Sequence, residues 1–285
     1  MQHTMGESCI PTTPQRIAAL DIDILGNLLA LGIQPIAASS GWDVAEPFPK
    51  HLQDKLDDVE YVGTATQPNL EKVLLLKPDL ILANSHMESF YDQLSQIAPT
   101  VILQHPNLWK QKLLDLAQVL GKEDVADELM NDYWGRINEL KQNLGNEQAD
   151  LQISAATVQS AHGIYAYGAR HPTSVVMDDI GLQRPPSQTK DVIYTEQISR
   201  ESLSEIDGDV LFFIIWSREE DQESFERLQQ SPLWRRLNAF QSERVYAVDF
   251  DHWYVDHSIL AIHAMLDDFF RYLVDTPISN LQKTE

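Results

Sequence analysis

Residues 122–144 read KEDVADELMNDYWGRINELKQNL, and this stretch decides how the rest of the chain is divided. Its apolar residues, Val125, Ala126, Leu129, Met130, Tyr133, Trp134, Ile137, Leu140 and Leu144, recur at the spacing of one buried helical face. Glu123, Asp124, Asp127 and Glu128 crowd the first turns and Lys141 lies near the end, charges that suit both poles of a helix dipole. Gly121 precedes the run and Gly145 follows it as a stop signal. At 1.5 Å per residue the helix is roughly 35 Å long, enough to run from one lobe to another.

Both flanks have the same grammar. Before the helix, short β-branched runs at 16–22, 35–39, 60–63, 80–83 and 100–103 read as strands. Helical patterns at 24–31, 70–76, 88–97 and 108–120 alternate with them. After Gly145, strands are expected at 151–158, 163–167, 192–194, 209–216 and 244–249, and helices at 174–180, 200–206, 222–229 and 258–274. Alternation of this kind implies sheets that are mostly parallel, with helices on their faces. The expected division is an N-terminal α/β lobe over 1–121, a connecting helix over 122–145 and a C-terminal α/β lobe over 146–285.

One correspondence ties the halves together. Asn69-Leu70-Glu71 opens a short helix and Asp79 precedes an apolar strand; Ser199-Arg200-Glu201 opens another and Asp209 precedes another. The Glu-to-Asp spacing is the same in both, with an Asn or Ser capping residue two positions before each glutamate. This points to two pseudo-equivalent lobes.

Forty-three acidic residues against 21 basic ones give a formal charge of −22. That balance argues against a nucleic-acid or anionic-membrane surface, which needs a basic footprint. Cys9 is the single cysteine, so neither an intrachain disulfide nor a multi-cysteine metal cluster is expected. No apolar run approaches the ~18 residues of a membrane span. A charged-then-apolar leader is missing, which reads as a cytoplasmic protein or one whose leader has been removed.

Ligands of open α/β sheets bind outside the carboxyl ends of the strands. The loops expected there carry Trp42, Thr64-Ala65-Thr66, His86 and His105 in the first half. In the second they carry Arg170, Trp216, Arg218, Trp253 and Tyr254. Flat apolar faces with a few fixed donors are the usual lining of a small-molecule site. His252, His257 and His263 cluster in sequence, but His257 and His263 lack an i, i+4 spacing and no HExxH or CxxC frame is present. No GxSxG, GxGxxG or P-loop pattern occurs. Hydrolase, dinucleotide and metal-ligating readings therefore find little support, and no catalytic or metal residue is expected.

With these residues laid out, the chain resembles the iron-siderophore class of ABC-transporter substrate-binding proteins, the helical-backbone type that also includes vitamin B12 and haem binders. The carriers are Gly6 with Ile10-Pro11 and Pro14-Gln15-Arg16-Ile17, then Leu31-Gly32-Ile33-Gln34-Pro35-Ile36-Ala37. They continue through Val62-Gly63, Pro68-Asn69-Leu70-Glu71, Lys77-Pro78-Asp79-Leu80-Ile81 and Ile97-Ala98-Pro99-Thr100. In the second half come Ile180-Gly181-Leu182-Gln183-Arg184-Pro185, Ile198-Ser199-Arg200-Glu201 and Ile206-Asp207-Gly208-Asp209-Val210-Leu211-Phe212. Their order is the specific feature.

The resemblance implies two Rossmann-like lobes joined by one long backbone helix, with a ligand held in the cleft. It implies an extracytoplasmic protein, periplasmic or membrane-anchored, and a monomer that is not an enzyme. The ligand would be a ferric siderophore, which brings its own iron ligands, so no cofactor is needed. Glu71 and Glu201 match the family positions that dock onto arginines of the membrane permease; read alone, each is an ordinary first-turn acid. Arg170 and Arg218 would serve the chelate's oxygens, while Trp42, Trp216, Trp253 and Tyr254 would face its apolar arms, with His86 nearby. The family's hydroxamate pattern has an arginine after the Val-Gly strand and a tyrosine after the next, where this chain has Thr64-Ala65 and Ser85-His86. A citrate-hydroxamate chelate is favoured over a plain hydroxamate or catecholate. The alternatives are haem, a corrinoid or a metal ion on the same scaffold, or a cytoplasmic α/β enzyme.

Overall fold

A computed structural model describes residues 2–41, 46–103, 108–145, 151–216 and 218–274. The chain forms two compact units. The first comprises residues up to 132 together with 254–263; the second comprises 133–253 and the residues from 264 onward.

In the first unit a two-residue hairpin, β1 (Gln2–His3) with β2 (Gly6–Glu7), precedes the main sheet. Then follow β3 (Ile17–Leu20), α1 (Ile22–Ala30), β4 (Ala37–Ser40), α2 (Lys50–Gln53), β5 (Glu60–Thr64), α3 (Leu70–Leu76) and β6 (Leu80–Asn84). A 3₁₀ turn over Ser85–Phe90 leads into α4 (Tyr91–Ile97), β7 (Thr100–Leu103) and α5 (Trp109–Leu120). The sheet is fully parallel in the order β5-β4-β3-β6-β7. A parallel strand covered on both faces has no solvent side, so β3 and β6 are apolar almost throughout and buried. One face packs Ala18, Leu20, Ile81 and Ala83 against Val73, Met87 and Leu94.

The stretch read as the long helix is one, α6 (Glu123–Leu144). Both flanking glycines take left-handed backbone, Gly121 at φ 62° and Gly145 at φ 62°, where a side chain would be strained. Gly121 closes α5 by donating its N–H to the Ala117 carbonyl. Tyr133, fully buried, donates its hydroxyl to Asp179 at 2.5 Å; burial first and the Asp179 carboxylate second push its ionisation upward.

The second unit continues with β8 (Ile153–Gln159), β9 (Gly163–Ala166), α7 (Pro172–Ile180), β10 (Val210–Ile215), α8 (Glu219–Gln229), α9 (Asn238–Gln241), β11 (Val245–Asp249) and α10 (Ile259–Phe269). Of α10, residues 259–263 belong to the first unit. The sheet order is β11-β10-β8-β9, parallel except for β9. Alternation along β10 feeds both faces. Phe212 meets Trp253 at 4.9 Å and Phe269 at 5.3 Å, while Phe213 stacks on Phe225 at 4.5 Å and meets Trp234 edge-on at 5.5 Å.

Four expected elements differ. Residues 192–194 make no regular strand; Tyr194 forms only an isolated bridge to Tyr167. The helix expected at 88–97 starts earlier as a 3₁₀ turn capped by Asn84. Residues 200–206 form a 3₁₀ helix with a kink at Ser202, and the last helix widens into a π turn over Phe270–Val274.

The matched pieces are matched in three dimensions. Asp79, one residue before β6, accepts the N–H groups of Gln15 (2.8 Å) and Arg16 (2.9 Å) at the entry to the adjacent β3. Asp209, one residue before β10, accepts the N–H of Gln152 (2.8 Å) at the entry to the adjacent β8. Asn69 and Ser199 cap their helices through Lys72 N–H (2.9 Å) and Ser202 N–H (3.2 Å).

Candidate binding site

In the first unit the carboxyl ends of β3 and β6 bring Asp21 and Asn84 together. Asp21 caps α1 by accepting the Ile24 N–H at 3.1 Å, and the Asn84 amide donates to its other oxygen. Asn84 in turn accepts the His86 N–H at 2.9 Å, which places the His86 side chain at the surface. Below this rim lies a buried polar cluster. Lys112 pairs with Asp23, whose second oxygen accepts the His257 N–H at 2.8 Å. Asp256 shares a 2.7 Å hydrogen bond with His51 and accepts the Ser258 N–H.

Burial first and the neighbouring Asp23 second push the Asp21 carboxyl up to about 7. Burial opposes ionisation of Asp23 as well, but Lys112 and the His257 contacts outweigh it and hold that carboxyl below its usual range. His257 is pushed down, chiefly by burial. Tyr254, half-buried, stands at the start of this returning segment. Trp42 and His105 lie outside the described residues. After β5, Thr64 and Gln67 close a tight turn with reciprocal 3.2 Å backbone bonds.

In the second unit, Trp216, half-buried, follows β10 and packs on Phe250 at 4.3 Å. Arg218, exposed at the start of α8, lies over the Trp216 ring with its guanidinium carbon 5.8 Å from the centroid. Arginine over tryptophan is a favourable cation–π arrangement. Trp216, Arg218 and Phe250 thus form one patch of a flat ring with a cation above it.

Arg170 sits elsewhere. Because β9 is antiparallel to β8, with Ala166 opposite Ala156 and Gly163 opposite Gln159, the loop after β9 leaves toward the start of β8. It is not the carboxyl end of a parallel strand, as the alternating pattern led us to expect. Arg170 is exposed, its N–H donating to the Val192 carbonyl at 3.0 Å. Beside it, Tyr167 stacks on His171 at 4.0 Å with the rings 6° apart, and Tyr194 meets His171 at 5.6 Å. Thr173, two residues on, donates its hydroxyl to the Trp253 carbonyl at 3.2 Å.

Trp253 itself is a correction. It is 0% exposed, held between Phe212 and Phe269, with its indole N–H donating to Asp268 at 2.8 Å. A ring so enclosed and hydrogen-bonded is a core residue, and it offers no face to a ligand. Of the rings beside Arg170, Tyr194 is the one that the sequence pattern did not single out. The Val-Ile-Tyr run has the composition of a strand but lies along the β9 ribbon through isolated bonds, with Tyr194 40% exposed. The histidines near the C-terminus go to carboxylates: His252 to Asp268 (2.8 Å) and His263 to Asp132 (3.6 Å). Among the described residues no group of histidine, cysteine and acidic side chains is arranged to hold a metal ion.

Comparison with known proteins gives a consistent picture. The sequence profile described as periplasmic binding protein matches residues 17–252. The probable siderophore-binding lipoprotein YfiY of Bacillus subtilis (strain 168) is 34% identical, over 97% of this chain and 88% of that one. The achromobactin-binding periplasmic protein of Dickeya dadantii (strain 3937) is 30% identical over 90% and 86%. Among solved structures, Staphylococcus aureus SirA complexed with staphyloferrin B superposes with a TM-score of 0.85 at 25% identity, covering 96% of this chain and 97% of that one.

Proposed function

Because the chain belongs to the periplasmic binding protein family, we propose that it captures a ferric siderophore outside the cytoplasm and delivers it to the permease of an ABC importer. The reading is carried by the likeness, over nearly the whole chain, to proteins named for binding siderophores. The family consists of binding proteins rather than enzymes. Among the described residues no helix is long and apolar enough to cross a membrane.

A chelate supplies the oxygens that hold its iron, so the protein's task is to recognise an anionic oxygen-rich shell with apolar arms. Arg218 over Trp216 offers a charge and a flat face side by side. Arg170 and Tyr194, both exposed on the loops around β9, are proposed as a second charge and a second ring. Arginine suits the task because its planar fork stays charged and can serve two oxygens at once. His86 and Tyr254 are further proposed ligand contacts. A citrate-hydroxamate chelate is favoured over a plain hydroxamate, because Thr64-Ala65 and Ser85-His86 stand where the hydroxamate pattern of the family has arginine and tyrosine.

Glu71 and Glu201 are exposed first-turn residues of equivalent helices, and they are the proposed docking acids for basic residues of the permease. The protein is proposed to act as a monomer. A fluorescence-quenching panel tests the ligand: ferric citrate-hydroxamate, hydroxamate and catecholate chelates, haem and cobalamin titrated onto the purified protein. Saturable quenching by a ferric chelate at micromolar or lower concentration is expected. Preferential binding of haem or cobalamin would reject the siderophore assignment.

A further inference from the structure

We infer that the two docking helices are chemically unequal: Leu74 and Leu75 form, with Glu71, an apolar-plus-acidic surface that seats against the permease, while the equivalent face of the second unit is wholly polar. The inference rests on the proposal that Glu71 and Glu201 dock the permease.

Aligning Asn69 with Ser199 and Asp79 with Asp209 sets the two helices in register. Two inward positions then agree. Val73 and Leu203 are both buried, and Leu76 and Ile206 both pack on their unit's core. The outward positions do not. Leu74 and Leu75 are 56% and 78% exposed, whereas their counterparts, Ser204 and Glu205, are exposed polar residues. Two inward pairs thus keep their apolar character, while Leu70, packed on the first unit's core, is answered by exposed Arg200; at positions 74 and 75 the difference lies on the face that a partner would meet.

Glu71, Leu74 and Leu75 stand at i, i+3 and i+4 of α3, hence on one side of the helix with neighbouring Cβ atoms about 5–6 Å apart. A surface that brings a cation to the Glu71 carboxylate must therefore cover both leucines. Single exposed leucines are ordinary on a protein surface, but an adjacent pair beside the docking acid is a patch that a partner would desolvate. The occupant we assign is a permease rim that is basic opposite Glu71 and apolar beside it. The acid and the chain's charge of −22 favour such a basic partner over an anionic lipid surface.

The test measures binding of the ligand-loaded protein to its purified permease–ATPase complex in nanodiscs. Leu74→Ser with Leu75→Glu, which copies the second unit's face onto the first, is expected to weaken binding at least about tenfold. Ferric-chelate affinity and melting temperature should stay at wild-type values, because both side chains are exposed. Ser204→Ala with Glu205→Ala should change permease binding less than about threefold. If the leucine variant binds like wild type while Glu71→Ala with Glu201→Ala does not, the apolar contact is refuted and the docking acids stand. If the double glutamate variant also binds like wild type, the docking reading fails and takes this inference with it. Wild-type binding to empty nanodiscs that the leucine variant loses would assign the patch to lipid. Self-association abolished by the same variant would assign it to a second copy. Either result overturns the inference.

Discussion

The carboxylate of Asp23 accepts the backbone N–H of His257 at 2.8 Å while its other oxygen pairs with Lys112. Residues far apart in sequence are fixed to each other inside the first unit by one side chain. The returning segment makes two further bonds of this kind: Ile259 N–H to Asn27 at 2.9 Å and Asp256 to His51 at 2.7 Å. An amide buried in a returning segment needs an acceptor, and α1 supplies two. Lys112→Met leaves the Asp23 charge buried without its cation and should destabilise the protein by about 3–5 kcal/mol. Urea unfolding followed by tryptophan fluorescence measures this. A loss below about 1 kcal/mol would mean that the Asp23–Lys112 pair is open to water.

Asp21 gives the same region a dependence on pH. Its folded carboxyl titrates near 7 and its unfolded one near 3.8. Between these values the folded protein holds a proton that the unfolded chain has lost, so this group's contribution to stability falls as pH rises from about 4 to about 7, then levels off. His257, held down by burial, acts in the opposite sense, with stability lost as pH drops below its unfolded value of 6.5. The two are separated by comparing wild type with Asp21→Asn. Asparagine retains the capping oxygen but meets the Asn84 amide, so the variant's absolute stability is lowered. What is expected is a wild-type-minus-variant stability difference that declines from pH 4 to pH 7. A flat difference would show that Asp21 is ionised throughout that range.

The chelate contacts make a quantitative prediction. Arg170→Ala and Arg218→Ala should each weaken ferric-chelate binding by ~1–3 kcal/mol through loss of charge-assisted hydrogen bonds. Tyr194→Ala should weaken it by ~0.5–1.5 kcal/mol if its half-exposed ring carries an aromatic contact. Titration by fluorescence quenching reads all three. Wild-type affinity in both arginine variants would remove the charged contacts from the site.

How far the sequence revealed this arrangement varies with the physics of each part. The α6 periodicity and the repeated Asn/Ser–Glu–Asp pieces were readable because they depend on local spacing and on caps within a few residues. The five strands of the first sheet were readable for the same reason, each being a short apolar run between turn signals. Trp253 was misplaced because its environment is non-local: Phe212, Phe269 and Asp268 come from other elements. The Arg170 loop was misplaced because strand direction is set by pairing, and nothing in the run Gly163–Ala166 announces an antiparallel strand. The Asp23–Lys112–His257 cluster was invisible for a like reason, since charged residues in sequence default to the surface.

Trp253→Ala provides the sharpest contrast between a core role and a contact role. Removing a fully buried indole leaves a cavity against Phe212 and Phe269 and takes one donor from Asp268, leaving His252 to satisfy that oxygen. Large-to-small changes of this kind cost about 3–5 kcal/mol. Trp253→Phe keeps most of the volume and loses only the indole N–H, so it should cost about 1–3 kcal/mol. Under conditions where Trp253→Phe remains folded, its ferric-chelate affinity should match wild type. A tenfold loss of affinity in that variant, with its melting curve unchanged, would return Trp253 to the binding surface and contradict its place in the core.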